Sequence, residues 1–328
     1  MATARGSQFA LLMGEESAYK TPATTFTKVP ISAIGGNWFS QNLIDNPEIR
    51  GNRNPAAPVL GNKVVNGNFT VPLHYDAIGW ILKHGIGTPV SSGSDPYTHI
   101  GKVGFSGASA GYLHDGLTFE HQFPDITVPE YHSYNGCKVS SLGVSVTPEG
   151  VVTFDVNIVG ANAVVDSGAT LDAAPVEYTS SAQSHFTGSI ELLGGSIAYI
   201  QSVDFTLDNG LDTSQYVVGG AGALSELPEN MASLTGNVTA LFQSNALLEA
   251  AIANTETSMN LAWTDATHSL DFDIPELVLQ PSAPTVAGDK GVLITLPFRA
   301  YYANHADATI LKYTLVDDVA SFAAIAAS

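Results

Sequence analysis

The sequence carries one short pattern twice, and this repeat limits the possible folds more than any other feature. Gly67-Asn-Phe-Thr-Val71 is followed by Asp76 to His84, which begins with a capping residue and has apolar residues at helical spacing. Gly236-Asn-Val-Thr-Ala240 is followed by Asn245 to Ala253 with the same character, at an offset in sequence number of 169 (236 − 67). The pattern predicts two related units, each with a strand that leads into a short helix. The alternative is that two unrelated β domains share similar short segments by chance.

Most of the other regular structure is predicted to be β. Apolar and polar residues alternate over 152–158 and again over 270–274, which is the period of a half-buried strand. An offset of 142 (296 − 154) places 154–162 on 296–304, so the first unit has 27 additional residues (169 − 142). The Gly/Ser-rich segment 85–116 is therefore predicted to be a long surface loop. Further strand candidates are 69–73, 138–146, 186–193, 198–207 and 292–298.

The two ends of the chain lack a clear pattern and are predicted to be extended arms that bridge to neighbouring subunits. Residues 1–30 form the N-terminal arm and residues 305–328 the C-terminal arm, with domains at 31–165 and 180–304 between them. The apolar patch Phe9 to Met13 indicates that the N-terminal arm is covered, either within the chain or by a neighbour.

Composition excludes several classes of protein. The chain has 31 acidic and 12 basic residues and a formal net charge of −19, with no basic cluster, which disfavours ordinary nucleic-acid binding. Apolar residues make up 45% and charged residues 13%, which is typical of a globular protein rather than a disordered one. The N-terminus lacks the apolar core of a secretion signal and no segment reaches membrane-spanning length, so we expect no membrane insertion and folding in a cytoplasm.

No arrangement of residues points to catalysis, a cofactor or a metal. The single Cys137 has no cysteine partner, and the tightest cluster among nine scattered histidines is His114-Asp115 with Glu120-His121. Asp271 and Asp273 lie on one predicted strand face, where a solvated surface is more common than a general acid–base pair. No nucleophile elbow, phosphate-binding loop or dinucleotide fingerprint occurs, so the chain is predicted not to be an enzyme.

The order of several short motifs resembles the tail tube (major tail) proteins of long-tailed bacteriophages. The resemblance covers roughly residues 8 to 162, and the repeated helix and strands extend it to about residue 304. The motifs are Glu15-Glu-Ser-Ala-Tyr-Lys-Thr-Pro22, Asp45-Asn-Pro-Glu-Ile-Arg50, Gly67-Asn-Phe-Thr-Val71, Leu117-Thr-Phe-Glu-His121, Tyr131-His-Ser-Tyr-Asn-Gly-Cys-Lys-Val139 and Val151-Val-Thr-Phe-Asp-Val-Asn157.

The resemblance implies a mainly β fold with two tandem β-sandwich or barrel domains, each with one short helix. It also implies rings that stack into a hollow tube. Single-domain members form hexamers, so a tandem chain is expected to form trimeric rings with pseudo-sixfold symmetry. The expected partners are further copies of the chain, a tape-measure protein, a tail terminator, and baseplate or distal tail proteins, with transient passage of DNA. The protein is then expected in the phage virion after assembly in the host cytoplasm.

An acidic lumen would let DNA pass without adhesion, because carboxylates repel phosphates. The acids on polar faces of predicted strands, Asp155, Asp271 and Asp273, are the candidates for this lining. Two other functions stay open from the sequence. A carbohydrate-binding or adhesive β-sandwich of a virion would need a cluster of exposed Trp or Tyr, and a hydrolase would use a carboxylate pair.

Overall fold

The computed structural model describes residues 3–104, 113, 116–178, 180–196, 199–286, 288 and 291–325. As the alternation predicts, these residues form a mainly β fold with two short α-helices, α1 (Tyr75–Gly85) and α2 (Ala246–Ile252). The first unit contains β1 (Ala10–Glu15), β2 (Thr27–Val29), β3 (Ala33–Gly35), β4 (Ser40–Ile44), β5 (Val59–Pro72), β6 (Val90–Gly93), β7 (Tyr97–Lys102), β8 (Leu117–Phe123), β9 (Glu130–Val146), β10 (Thr153–Gly160) and β11 (Asn162–Ser167). The second contains β12 (Gly188–Leu192), β13 (Gly195–Ser196), β14 (Ile200–Asp208), β15 (Ser233–Leu241), β16 (Thr257–Thr264), β17 (Ser269–Leu279), β18 (Leu293–Ala300) and β19 (Lys312–Asp317).

One antiparallel sheet runs through both units. Its strands lie in the order β3–β5–β10–β9–β14–β15–β18, and we call it the shared sheet. Strand β14 of the second unit pairs with the C-terminal part of β9 from Val203↔Val146 to Asp208↔Ser141. The two units are therefore joined by backbone hydrogen bonds as well as by side-chain packing.

Each unit covers the buried face of the shared sheet with an outer sheet. In the first unit the order is β2–β1–β8–β9–β11, in which β9 contributes its N-terminal part. In the second unit the order is β13–β12–β16–β17–β19–β7–β6. The core between the sheets is continuous, since the ring of Phe272 lies 6.1 Å from that of Phe154 and 5.6 Å from that of Phe205.

Strand pairing supports the internal repeat element by element. The bulge between Leu117 and Phe119 in β8 recurs between Thr257 and Met259 in β16, at an offset in sequence number of 140 (257 − 117). The equivalent elements are β1 and β12, β3 and β14, β5 and β15, α1 and α2, β8 and β16, β9 and β17, β10 and β18, and β11 and β19.

The pairing also corrects the alignment of the last strands. Gly67 pairs with Ile158 and Gly236 pairs with Phe298, so the offset between β10 and β18 is 140 (298 − 158) rather than 142. The first unit therefore has 29 additional residues (169 − 140). A shift of two residues preserves which side chains face the core, which is why alternation alone could not detect the error.

The segments predicted to be arms contribute strands to the units. Strand β1 pairs with β8, and its residues Leu11, Leu12 and Met13 are all buried, so the strand has no polar face and shows no alternation. Strand β19 pairs with both β17 and β7. The C-terminal residues Phe322 and Ile325 are also buried against the same chain. The prediction that these ends bridge to neighbouring subunits is not supported by these contacts.

The segment 85–116 differs from the predicted loop. Strands β6 and β7 form a hairpin within it, and β7 extends the outer sheet of the second unit by pairing with β19. Residues 105–112, 114 and 115 lie outside the described residues. The hairpin thus ties the two units together on the side away from the shared sheet.

Candidate assembly surfaces

The shared sheet has one apolar face and one polar face. Its apolar side chains are buried in the core, whereas the opposite face is rich in Asn, Thr and Ser. Hydrogen bonds link polar side chains of adjacent strands, such as Thr70 to Asp155 at 2.7 Å and Asn237 to Asp204 at 2.9 Å. Exposed members of this polar face include Asn66, Asn68, Ser145, Asp155, Asn157, Asp204, Thr206, Asp208, Thr235, Thr295 and Arg299.

The structure separates the three acids that the sequence singles out. Asp155 lies on the polar face of the shared sheet and is exposed. Asp271 and Asp273 lie on the part of β17 that pairs with β16 and β19, in the outer sheet of the second unit. Asp273 forms an ion pair with Lys312 at 2.8 Å, and burial followed by the charge of Asp273 raises the pKa of Asp271. Sequence alternation missed Asp204 and Asp208, which occupy the same polar face as Asp155.

The ends of the shared sheet carry strand edges with no partner among the described residues. At one end β3 pairs with β5 and leaves its other edge open. At the other end residues 281–286 run beside β18 through the bridge Thr285↔Leu293, which corresponds to Ser145↔Thr153 in the first unit. Apolar side chains are exposed at both edges: Ile34 is 37% exposed and Val286 is 70% exposed.

A groove borders the open edge of β3. Its apolar wall is formed by Phe9, Ile31, Ile34 and Trp38. The equivalent of Ile34 in the second unit is Val203, which is completely buried because β9 of the first unit covers it. Ile34 is exposed because no strand of the described residues lies beside β3 in the place that β9 takes beside Val203.

The motif Glu15 to Pro22 organises contacts between the units through Glu16. The buried carboxylate of Glu16 accepts hydrogen bonds from the backbone N–H of Gly136 at 2.7 Å, the Thr118 hydroxyl at 2.9 Å and the backbone N–H of Lys20 at 2.7 Å. Burial raises the pKa of Glu16, although the three donors lower it. The Lys20 ammonium in turn donates to the carbonyl oxygen of Leu224 in the second unit at 3.1 Å.

Glu15 anchors the C-terminal segment to α1. Its carboxylate is ion-paired with Lys83 and His84 and accepts a hydrogen bond from the backbone N–H of Ile325 at 3.2 Å. Lys83 also donates to the carbonyl oxygen of Ala323 at 2.8 Å. Burial would raise the pKa of Glu15, but hydrogen bonds and charge from His84 and Lys83 lower it to about 2.

This anchor predicts a stability change in acid. Because the pKa of Glu15 falls from 4.5 to about 2 on folding, the carboxylate stabilises the folded chain above pH 4.5 and loses that effect as the pH falls towards 2. The change is worth on the order of 3 kcal/mol. We expect Glu15→Gln to be less stable at pH 7 and to show a smaller loss between pH 4.5 and 2, measured by urea unfolding at each pH. An unchanged pH profile in Glu15→Gln would contradict this anchor.

The described residues offer little to the alternative functions. Trp38, Trp80 and Trp263 are all buried, so they do not form the exposed aromatic platform that a sugar-binding surface needs. In the cluster proposed around residues 114–121, His114 and Asp115 lie outside the described residues. Glu120 instead accepts hydrogen bonds from Gln122, Thr170 and the backbone N–H of Leu171.

The described part of the chain also holds no evident metal cluster and no helix able to span a membrane. No group of three His, Cys, Asp or Glu side chains there is placed to hold a metal ion. Neither of the two helices described has the length and apolar character needed to cross a bilayer.

Comparison with known protein families gives a match over most of the chain. The family model described as "Phage tail tube protein" matches residues 6–300, which include both repeated units. A search of curated proteins gave no match.

Proposed function

Because the chain belongs to the phage tail tube protein family, we propose that it polymerises as stacked trimeric rings into the hollow tube of a phage tail, through which DNA passes. The observation that carries this proposal is the shared sheet, which crosses both units and has at each end an edge with no partner strand among the described residues. Open edges invite pairing with further strands, and closing a sheet on itself removes them.

The two open edges belong to different elements, so copies would join head to tail. Such a heterologous contact gives a closed ring when the rotation between copies returns to the start. With two units in each chain and the six units per ring that the resemblance implies, three copies complete the ring. The junction between units within the chain supplies a template for the junction between copies.

We assign the polar face of the shared sheet to the lumen. The opposite face is already covered by the outer sheets, so a ring closed through the shared sheet leaves its polar face pointing inward. Asp155, Asp204 and Asp208 would repel DNA phosphates, while Asn and Thr side chains present an uncharged hydrogen-bonding surface. Asp271 and Asp273 are better placed towards the outside of such a ring.

The remaining partners follow from the role of the tube. A tube of this kind would enclose a tape-measure protein and would end at a tail terminator and at baseplate or distal tail proteins. We further propose that the chain assembles in the host cytoplasm before it becomes part of the virion. No cofactor is required for this structural role.

Electron microscopy and mass measurement test the proposal directly. Purified chain should give hollow rings or stacked tubes in negative stain, and native mass spectrometry should give rings near three times the chain mass of 34.3 kDa. Rings with another number of copies would contradict the trimer. A chain that stays monomeric both alone and with a nucleating tail tip would contradict polymerisation.

Neutralising the lumen acids should slow DNA passage. We expect phage that carry Asp155→Asn, Asp204→Asn and Asp208→Asn together to assemble tubes but to eject DNA more slowly, most clearly at low ionic strength, where phosphate repulsion is least screened. Ejection can be followed with a DNA-binding dye. Asp271→Asn, which removes an acid of the outer sheet, is the control and should eject normally. Equal ejection rates in both variants would refute the assignment of this face to the lumen.

A further inference from the structure

The internal repeat fixes which residues should meet when the open edges of two copies come together. Within the chain, Val146 of β9 stands opposite Val203 of β14. With the offset of 140 between β9 and its counterpart, the equivalent of Val146 in the second unit is Val286 (146 + 140). With the offset of 169 between β3 and β14, the equivalent of Val203 in the first unit is Ile34 (203 − 169). The pair that corresponds to Val146↔Val203 is therefore Val286↔Ile34 between two copies.

Burial agrees with this correspondence. Val203 is completely buried and Val146 is 7% exposed, because each covers the other within the chain. Val286 and Ile34 are apolar residues left exposed on open edges, and a groove with apolar walls lies beside Ile34. Burying exposed apolar side chains against each other favours association.

The same correspondence predicts where the pairing ends. Val144↔Phe205, the next hydrogen-bonded position of the internal junction, corresponds to Pro284 and Gly36. Proline has no backbone N–H to donate, and Gly36 has a φ of +81°, which departs from a strand. The internal junction continues past this position to Asp208↔Ser141, so the junction between copies is the shorter of the two.

We propose that β3 of one copy pairs antiparallel with residues 285–286 of the next, with Val286 opposite Ile34, and that Pro284 and Gly36 end this pairing. The occupant of each open edge is thus a second copy of the chain. This inference rests on the proposed ring and names its contact. A short junction holds two copies weakly, whereas a closed ring engages all its junctions at once, so the proline keeps free copies apart until a ring can close.

Disulfide cross-linking tests the register. Ile34→Cys and Val286→Cys in one chain should form disulfides between copies in oxidised tubes, because directly opposed residues of an antiparallel pair have Cα atoms within disulfide range. Cys137 is buried and contributes little background. The double variant should give covalent products up to three chains, whereas a mixture of the two single variants should give only two-chain products. Ile34→Cys with Ser282→Cys is the control, since position 282 lies roughly 13 Å further along the strand.

A second variant tests the role of the proline without a cross-link. Pro284→Ala restores the missing N–H, so we expect tubes to form at a concentration several-fold lower than for the unmodified chain, as followed by light scattering. Thermal unfolding of Pro284→Ala and of the unmodified chain, under reducing conditions, should first show that the two are equally stable. An unchanged or higher threshold for assembly would overturn the role given to Pro284.

The outcomes separate this inference from the proposed function. Tubes that cross-link through position 282, or that give no cross-link at 286, overturn the register and leave the tube function standing. Covalent products longer than three chains support the pairing but overturn the three-copy ring. If the unmodified chain forms neither rings nor tubes, the pairing between copies and the tube function fall together.

Discussion

Replacing Gly236 with Ala is expected to destabilise the folded chain by about 2–3 kcal/mol, because the added methyl group has no room in the shared sheet. A Cβ at this position would lie 2.1 Å from the carbonyl oxygen of Asp204 and 2.7 Å from the ring of Phe298. The first contact is with backbone of the neighbouring strand, so β14 and β15 would have to separate. The urea midpoint of unfolding, followed by tryptophan fluorescence, measures the effect.

Substitutions at two other glycines, Gly195 and Gly67, are controls for the predicted loss of stability. At Gly195 a Cβ would meet nothing within 4 Å, so Gly195→Ala should change stability by less than about 0.5 kcal/mol. At Gly67, the equivalent of Gly236, a Cβ would lie 2.3 Å from the ring of Trp38, which is a buried side chain rather than backbone. We expect Gly67→Ala to fall between the other two. If Gly236→Ala were as stable as Gly195→Ala, the tight approach of β14 and β15 would be disproved.

These glycines explain why the internal repeat can be recognised in the sequence. Gly67 and Gly236 occupy equivalent positions at which neighbouring atoms leave no room for a side chain. The residue type is therefore set by the fold, and the sequence keeps it in both units. The helices after them could be predicted from their apolar spacing, although only α2 is buried on one side and α1 is buried almost all round.

Other elements could not be predicted because local pattern does not record long-range pairing. Strand β1 is buried on both faces, so it reads as an apolar patch rather than a strand. Strand β7 pairs with β19, which lies near the other end of the chain. The Gly/Ser-rich sequence around β7 indicates only a loop. Strand β19 carries only part of such a signal, since Tyr313 and Leu315 alternate with polar residues but the next buried position is Asp317.

The candidate site was predictable only in part for the same reason. Alternation correctly assigned Asp155 and Asp273 to the less buried positions of their strands, because parity depends on local sequence. It could not tell that Asp155 lies in the shared sheet and Asp273 in an outer sheet, since that depends on which strands pair. The acids Asp204 and Asp208 became candidates for the lumen only when β14 was placed beside β9.

Glu16 carries the second large prediction, because its buried carboxylate accepts hydrogen bonds from three donors. Glu16 is 2% exposed, and its partners include the backbone of Lys20, which has a left-handed φ of +67°, and of Gly136, with a φ of +63°. Glu16→Ala leaves these buried donors unsatisfied and removes the acceptor that holds the left-handed backbone at Lys20. We expect it to destabilise the chain by about 3–5 kcal/mol, measured by urea unfolding at pH 7.

Glu16→Gln and Glu177→Ala separate the role of the hydrogen bonds from that of charge. The amide of Gln retains one acceptor oxygen but turns an N–H₂ group towards a donor, so its cost should be smaller than that of Ala. Glu177 forms an exposed ion pair with Lys28, and Glu177→Ala should cost less than about 1 kcal/mol although it removes the same charge. Glu16 holds the backbone of Lys20, and the Lys20 ammonium donates to the carbonyl oxygen of Leu224 in the second unit. Glu16→Ala should therefore also loosen the loop around Leu224 and make that loop more sensitive to proteolysis. A Glu16→Ala chain as stable as Glu177→Ala would mean that the carboxylate does not hold this turn.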